Sequence, residues 1–287
     1  MKGVHTMSIA IVTDSTAYLD PSYIDAHQIT ILPLSTSFSD GTYIEGQDLT
    51  ADQFYDKMAK LDEIPTTSQP STGLIQEKLQ QLAETYEEIL VLTISSGISG
   101  TAQTVQTMAS ELSNTRVEVY DSEITCHPLA FLVEKAVTLA EQGEDMSTIL
   151  AALNELKANL SAYFVVEDLN HLAKGGRLSQ AGAMMGGLLK IKPLLYFKEG
   201  KIEVFEKVRT SKKAVTRITD LFEESYTNSQ QNWQIAVIGP EDNEYVQSLL
   251  TYFKENHPDI PISLHYFGPV IGTHLGADAF GVTWTIQ

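Results

Sequence analysis

The 287-residue chain is predicted to be an α/β protein of two lobes: an N-terminal lobe on a mostly parallel sheet with helices, and a C-terminal α+β lobe. Three observations predict this. Short apolar runs alternate with helix-length amphipathic segments through the first half, the pattern of βαβ units. Near Tyr163 the pattern changes to a hairpin followed by single strands and helices. The composition, 43% hydrophobic and 20% charged, suits a packed soluble core, and the length suits roughly two domains.

In chain order, Ile9–Val12 is a strand of buried type that stops at Thr13-Asp14-Ser15-Thr16. Ile29–Leu34 is a second apolar run, interrupted by Pro33, which cannot donate to a sheet ladder. Thr50-Ala51-Asp52-Gln53 is an N-cap signature, after which Phe54, Met58 and Leu61 recur at helical spacing. Ser71 opens a helix with Leu74, Ile75, Leu79 and Leu82 on one face. Ile89–Ile94 reads as a strand, Thr101–Leu112 as a helix and Val117–Tyr120 as a strand, followed by helices over Pro128–Glu141 and Met146–Asn159. The second lobe opens with the strand Tyr163–Val166, then Leu169–Leu178, then a run rich in Gly and Met over Leu178–Leu189. Pro193–Phe197 and Lys201–Phe205 flank Glu199-Gly200 as a tight hairpin. Ser211–Ser225 is a helix, Gln234–Ile238 a strand, Glu244–Asn256 a helix and Pro261–Tyr266 a strand. The domains are accordingly expected at 7–160 and 161–287, with no internal repeat between or within them.

Charge narrows the partners. With 19 basic and 37 acidic residues the formal net charge is −18, which repels polyphosphates and anionic headgroups and argues against nucleic acid. The exception is 174–217, where 11 basic residues face 3 acidic ones, a local +8. That segment reads either as a solvated basic face or as a docking surface for a phosphate-bearing ligand or an acidic partner. The single Cys126 cannot form an internal disulfide, which fits a reducing compartment. No run approaches the ~20 apolar residues of a spanning helix, and Met1–Thr6 carries no apolar stretch of the kind a signal peptide needs. The expected address is the cytoplasm, compatible with transient contact at a membrane surface, and Met7 is a second candidate start.

Three hydroxyl-rich clusters follow strand ends: Thr13–Thr16, Thr66–Ser71 and Ser95–Thr101. Each can be a helix cap, and together they can form an anion site, because ligands of open α/β sheets bind outside the carboxyl ends of the strands. An enzyme is the alternative: a hydrolase or phosphotransferase acting through Ser99 or Asp14 on an acyl or phosphorylated small molecule. Ser99 lies in Gly97-Ile98-Ser99-Gly100, off the nucleophile-elbow spacing by one residue. Asp14 has Thr16, not a second carboxylate, two residues on, and capping accounts for it better. Lys174-Gly175-Gly176-Arg177 lacks the phosphate-loop spacing. No metal site is expected, since none of the seven histidines forms an H-x-x-x-H pair and one cysteine makes no thiolate cage. His274 stands apart, in the glycine-bracketed Val270–Gly276, read as a turn whose glycines let the backbone approach something closely. Leu178–Leu189 suits either tight helix packing or a smooth apolar cavity.

In order and spacing these segments resemble the DegV family of fatty-acid-binding proteins. The resemblance runs through Thr13–Ala17, Pro65–Ser71, Ser95–Thr101, Leu172–Ser179, Lys207–Thr210 and Gly268–His274. It implies two α/β lobes with a long-chain fatty acid buried between or within them, no cofactor, and no catalysis by the chain itself. It further implies that the carboxylate is held by Thr67 and Ser99, with Ser95 and Ser96 as lesser candidates and Thr273 and His274 as further contacts. Some family members present the fatty acid to a separate fatty acid kinase, whose acyl phosphate feeds phospholipid synthesis. Arg177 and Arg209, in the basic segment, are the residues expected to meet that kinase or the acyl phosphate. Where the family has Gly-Pro-Gly-Ala, this chain has Gly276-Ala277-Asp278-Ala279, and Asp278 is expected to raise the His274 pKa if it lies close.

Overall fold

The structure, a computed structural model, describes residues 9–61, 64–166, 169–179, 192–226 and 231–286. Packing divides the chain into two compact units, Met1–Ser35 with Ser68–Ala158 and Thr36–Thr67 with Asn159–Gln287. Chain order alone had placed Thr36–Thr67 in the N-terminal domain. The first unit opens with β1 (Ile9–Asp14), α1 (Pro21–Ala26) and β2 (Thr30–Leu32). The chain then builds β3 (Ser35–Phe38), β4 (Gly41–Ile44), α2 (Ala51–Leu61) and β5 (Thr66–Ser68), which associate in the order β4-β3-β5. It returns with α3 (Thr72–Ala83), β6 (Glu88–Thr93), α4 (Thr101–Ala109), β7 (Arg116–Asp121), α5 (His127–Glu141) and α6 (Met146–Ala158).

In the first unit β2, β1, β6 and β7 lie side by side, all parallel, with Val12 opposite both Thr30 and Val91. The two inner strands are apolar and buried nearly throughout, as parallel strands covered on both faces must be. One face packs Ala10, Val12, Ile89 and Val91 on Ile75 and Leu79 of α3 and Val105 of α4. α5 packs against β1 and β6 and is apolar around most of its circumference, with Leu129, Leu132, Val133 and Val137 fully buried. Because β1 leads to β2 on one side and β6 to β7 on the other, the carboxyl ends of β1 and β6 flank the topological switch point. Two of the hydroxyl clusters follow those ends.

The second unit continues with β8 (Ser161–Val165), α7 (Leu169–Lys174), β9 (Lys192–Lys198), β10 (Lys201–Val208) and α8 (Ser211–Ser225). It closes with β11 (Trp233–Ile238), α9 (Glu244–Asn256), β12 (Ile262–His265), α10 (Pro269–Leu275) and β13 (Phe280–Ile286). Its larger sheet runs β10-β9-β8-β13-β11-β12, antiparallel except between β11 and β12. The β9–β10 hairpin turns at Glu199 and Gly200, whose φ angles of 50° and 74° are those a two-residue turn of matching twist requires. α8 and α9 cover one face with Phe222 and Phe253, against Trp233 and Trp284.

Local chemistry starts the helices as expected. Thr50 and Gln53 form a reciprocal capping box, each side chain accepting from the other's backbone N–H at 3.2 and 3.0 Å. Ser71 accepts from Leu74 N at 3.3 Å, and Thr210 from Lys213 N at 3.2 Å. Two expectations need correction. Val270–Gly276 is not a turn: Pro269–Leu275 is helical, and Gly276, at φ 84°, ends it. β13, unforeseen, occupies the middle of the larger sheet. Of the Leu178–Leu189 run, everything after Ser179 lies outside the described residues. Among the described residues no helix is long and apolar enough to cross a membrane.

Candidate functional site

Three chain segments of the second unit converge on one polar group. α10 ends with His274 in its last turn, and the Thr67 hydroxyl of β5 lies 2.9 Å from its Nε2. The third segment is Lys174-Gly175-Gly176-Arg177. Here α7 closes in a Schellman motif, with Gly176 N–H donating to Ala173 O at 3.1 Å and Arg177 N–H to Leu172 O at 3.2 Å. Gly176 takes φ 73°, a conformation that suits glycine, and the reversal brings Arg177 close enough for its charge to act on His274. Burial, and secondarily that guanidinium, pull the His274 pKa down to about 4. The expected upward push from Asp278 is not what governs His274, because desolvation of a half-buried ring acts the other way.

A neutral imidazole offers one donor and one acceptor. With Nε2 protonated, the ring donates to Thr67 and frees the hydroxyl proton for an anion. With Nδ1 protonated, Thr67 donates to the ring and Nδ1–H is the donor left over. In either tautomer the pair can offer hydrogen to a carboxylate beside a cationic guanidinium, a setting in which charge-assisted bonds are strong. Thr273, adjacent on α10, is fully buried and gives its proton to Pro269 O at 2.9 Å. It retains only acceptor capacity. Arg209 is exposed at the end of β10, next to the Thr210 cap of α8.

The serine-rich loop of the first unit is bonded within itself and to neighbouring segments of the same unit. Buried Ser95 donates its N–H to Ile124 O at 2.8 Å and accepts from Gly97 N at 3.1 Å. Ser96 is exposed, with its N–H on Asp121 Oδ1 at 3.1 Å. Ser99 is half-buried, its Oγ 2.9 Å from Thr101 Oγ1, and it accepts from Thr101 N at the start of α4, where the cap residue Gly100 has no side chain. Gln69 of the second cluster bonds Thr104 and lies so close over Gly100 that a Cβ there would overlap its amide oxygen. The hydroxyl paired with Ser99 is no base. Asp14 is equally committed: Oδ1 accepts from Thr16 N at 3.0 Å and Thr16 Oγ1 at 2.6 Å, and Oδ2 from Ile94 N at 2.6 Å. Burial outweighs those bonds and pushes its pKa up to about 6. Oδ1 caps the turn after β1 and Oδ2 ties β1 to the end of β6, both structural uses of the carboxylate. Among the described residues no group of three or more His, Cys, Asp or Glu side chains can hold a metal ion.

Two residues that no motif flagged touch the helix bearing His274: Glu45 bonds Val270 N at 2.8 Å, and Tyr55 bonds Phe267 O at 2.7 Å. Gly272 is buried beneath Tyr55, and no pattern around Glu45 or Tyr55 marks either residue.

Comparison with known proteins places this architecture. The sequence model of a family described as an uncharacterised protein, DegV family, matches residues 8–287. A DegV domain-containing protein of Halalkalibacterium halodurans is 41% identical over 280 residues, 97% of this chain and 99% of the relative. Among solved structures, the chain resembles DegV from Bacillus subtilis, described as a fatty acid binding protein, with a TM-score of 0.92 and 39% identity across 98% of this chain and 100% of that one. It also resembles a fatty acid binding DegV family protein from Streptococcus agalactiae, with a TM-score of 0.90, 37% identity and coverage of 98% and 100%. Matched from end to end in both sequence and fold, the chain belongs to the DegV family.

Proposed function

We propose that the chain binds a long-chain fatty acid and that its Thr67–His274 pair, beside Arg177, receives the carboxylate. The observation that carries this reading is the 2.9 Å pairing of a threonine hydroxyl with a neutral imidazole from the far end of the chain. Two structural relatives above one-third identity, described as fatty acid binding, support it. A buried carboxylate is costly unless hydrogen-bonded, and this pair and Arg177 supply donors and a compensating charge. The tail supplies most of the affinity: at ~0.8 kcal/mol per buried CH₂, a long chain offers on the order of 10 kcal/mol before the cost of association. The head group sets orientation. Ser99, with Ser95 and Ser96, and Thr273 are secondary head-group candidates. Thr273 can bond the carboxylate, itself acceptor-only, once its proton leaves Pro269 O.

Organic extraction of the purified chain followed by mass spectrometry tests the reading. Near one fatty acid per chain, reduced in Thr67→Ala and His274→Ala, supports it. A wild type that is empty and refuses added oleate or palmitate contradicts it.

The finer part of the proposal is delivery: the bound carboxylate is presented to a separate fatty acid kinase for acyl-phosphate formation, in the cytoplasm, and the chain acts as a carrier. The local +8 of 174–217 in a chain of net charge −18 supports a contact there, with exposed Arg209 meeting the kinase and Arg177 the acyl phosphate. Arg209→Glu is expected to slow kinase turnover with fatty-acid loading intact. Unchanged turnover would remove Arg209 from the contact.

A further inference from the structure

α10 is seven residues long, under two full turns, and so short a helix does not hold itself in place. Its own N-terminus is poorly provided. The cap residue Gly268 has no side chain, and Pro269 has no N–H. The first N–H needing a partner is that of Val270, and Glu45 accepts it at 2.8 Å from a buried position 225 residues earlier. A carboxylate there also meets the positive end of the helix. Tyr55 secures the same helix twice. Its hydroxyl donates to Phe267 O at 2.7 Å, just ahead of the helix, and its ring lies on Gly272, where a Cβ would come within 2.8 Å of Cζ. Tyr55 is itself held firmly, since its neighbour Phe54 is fully buried and stacks edge-on with it at 5.2 Å between centroids. Glycine inside a helix is less favourable than alanine, and the Tyr55 ring accounts for that choice. His274 follows two residues after Gly272. Glu45, Tyr55 and Thr67 all belong to Thr36–Thr67, so one segment grips the start of α10, its middle and its functional end.

We infer that Glu45 and Tyr55 are positioning residues of the head-group site: by fixing α10 they hold His274 at Thr67 and set the preference for a carboxylate over an uncharged head group. This rests on the fatty-acid reading above. The test compares oleate with oleyl alcohol, titrated calorimetrically into the delipidated full-length chain. In Tyr55→Phe and Glu45→Ala, oleate affinity is expected to fall on the order of tenfold while oleyl alcohol binding holds, so the acid-over-alcohol preference shrinks. Glu45→Gln, whose amide oxygen still accepts from Val270 N, is expected to restore most of it. Tyr55→Phe keeps the fold and decides the question if Glu45→Ala does not fold. Parallel losses for acid and alcohol, or unchanged oleate affinity, overturn the inference alone. A wild type that takes up neither ligand overturns the fatty-acid reading and the inference with it.

Discussion

The serine and threonine clusters of the first unit and the Thr67–His274 pair of the second use similar side chains, partnered in different ways. In the first unit most hydroxyls are used locally: Thr16 to Asp14, Gly97 to Ser95, Thr101 to Ser99 and Ile124 to Ser122 all span two residues. The longer bonds of the clusters, such as Ile94 N to Asp14 and Gln69 to Thr104, join neighbouring elements of that unit. Such bonds close turns and start helices, and they require no ligand to explain them. Thr67 instead reaches a ring 207 residues away. Burial, and secondarily the Arg177 charge, keep that ring neutral. The lesson is that hydroxyl density marks turns, whereas a long-range polar pair kept neutral beside a cation marks a site.

The largest expected effect lies on the structural side of this comparison. Asp14→Ala leaves two buried N–H groups and a hydroxyl without their acceptor and is expected to cost about 3 kcal/mol in denaturant unfolding at about pH 4. Asp14 also has a pH signature. Burial raises its folded pKa from the ordinary 3.8 to about 6, so its contribution is full below about pH 4 and is lost as pH rises through 6. The stability difference between wild type and Asp14→Asn should therefore shrink by about 3 kcal/mol over that window. A difference independent of pH would show that Asp14 is not desolvated as described.

Gly272→Ala comes next and tests the packing of α10. In an ordinary helix this change stabilises by about 1 kcal/mol. Against the Tyr55 ring it should destabilise by about 1–2 kcal/mol, and thermal unfolding reads the sign directly.

Legibility followed the same division. The parallel sheet showed in the sequence because Ile9–Val12 and, up to its terminal threonine, Ile89–Thr93 are unbroken apolar runs, and two helix starts showed because Thr50 and Ser71 cap them. β13 escaped notice although Val282, Thr283 and Thr285 favour strands: Gly281 and the alternating threonines disguise a central strand whose polar side chains are buried. α10 was mistaken for a turn because Gly272, which Tyr55 demands, looks like a helix breaker. The resemblance supplied Thr67 and His274 as separate candidates, but no spacing along the chain pairs them, and nothing local pointed to Glu45 or Tyr55. The capping role of Asp14, by contrast, was readable from the two residues that follow it.

Two smaller effects sharpen the contrast. Thr67→Ala is expected to weaken oleate binding by about tenfold, the worth of a bond to a charged group, while leaving the unfolding midpoint nearly unchanged. Ser99→Ala removes a long, 3.3 Å acceptor contact to the first N–H of α4 and should cost under about 1 kcal/mol. A larger loss of stability in Thr67→Ala than in Ser99→Ala would reverse the assignment of site and scaffold.

The most direct measurement is a titration of His274 by nuclear magnetic resonance, with ¹⁵N-labelled histidine, in the delipidated chain and after adding oleate. Without ligand the ring is predicted to titrate near pH 4, pulled down by burial and Arg177. With oleate bound, the adjacent carboxylate should raise that pKa, and the Nε2 and Nδ1 shifts should move together with ligand occupancy. Oleate that binds while His274 keeps its unliganded titration would contradict the account, because the carboxylate would then lie elsewhere.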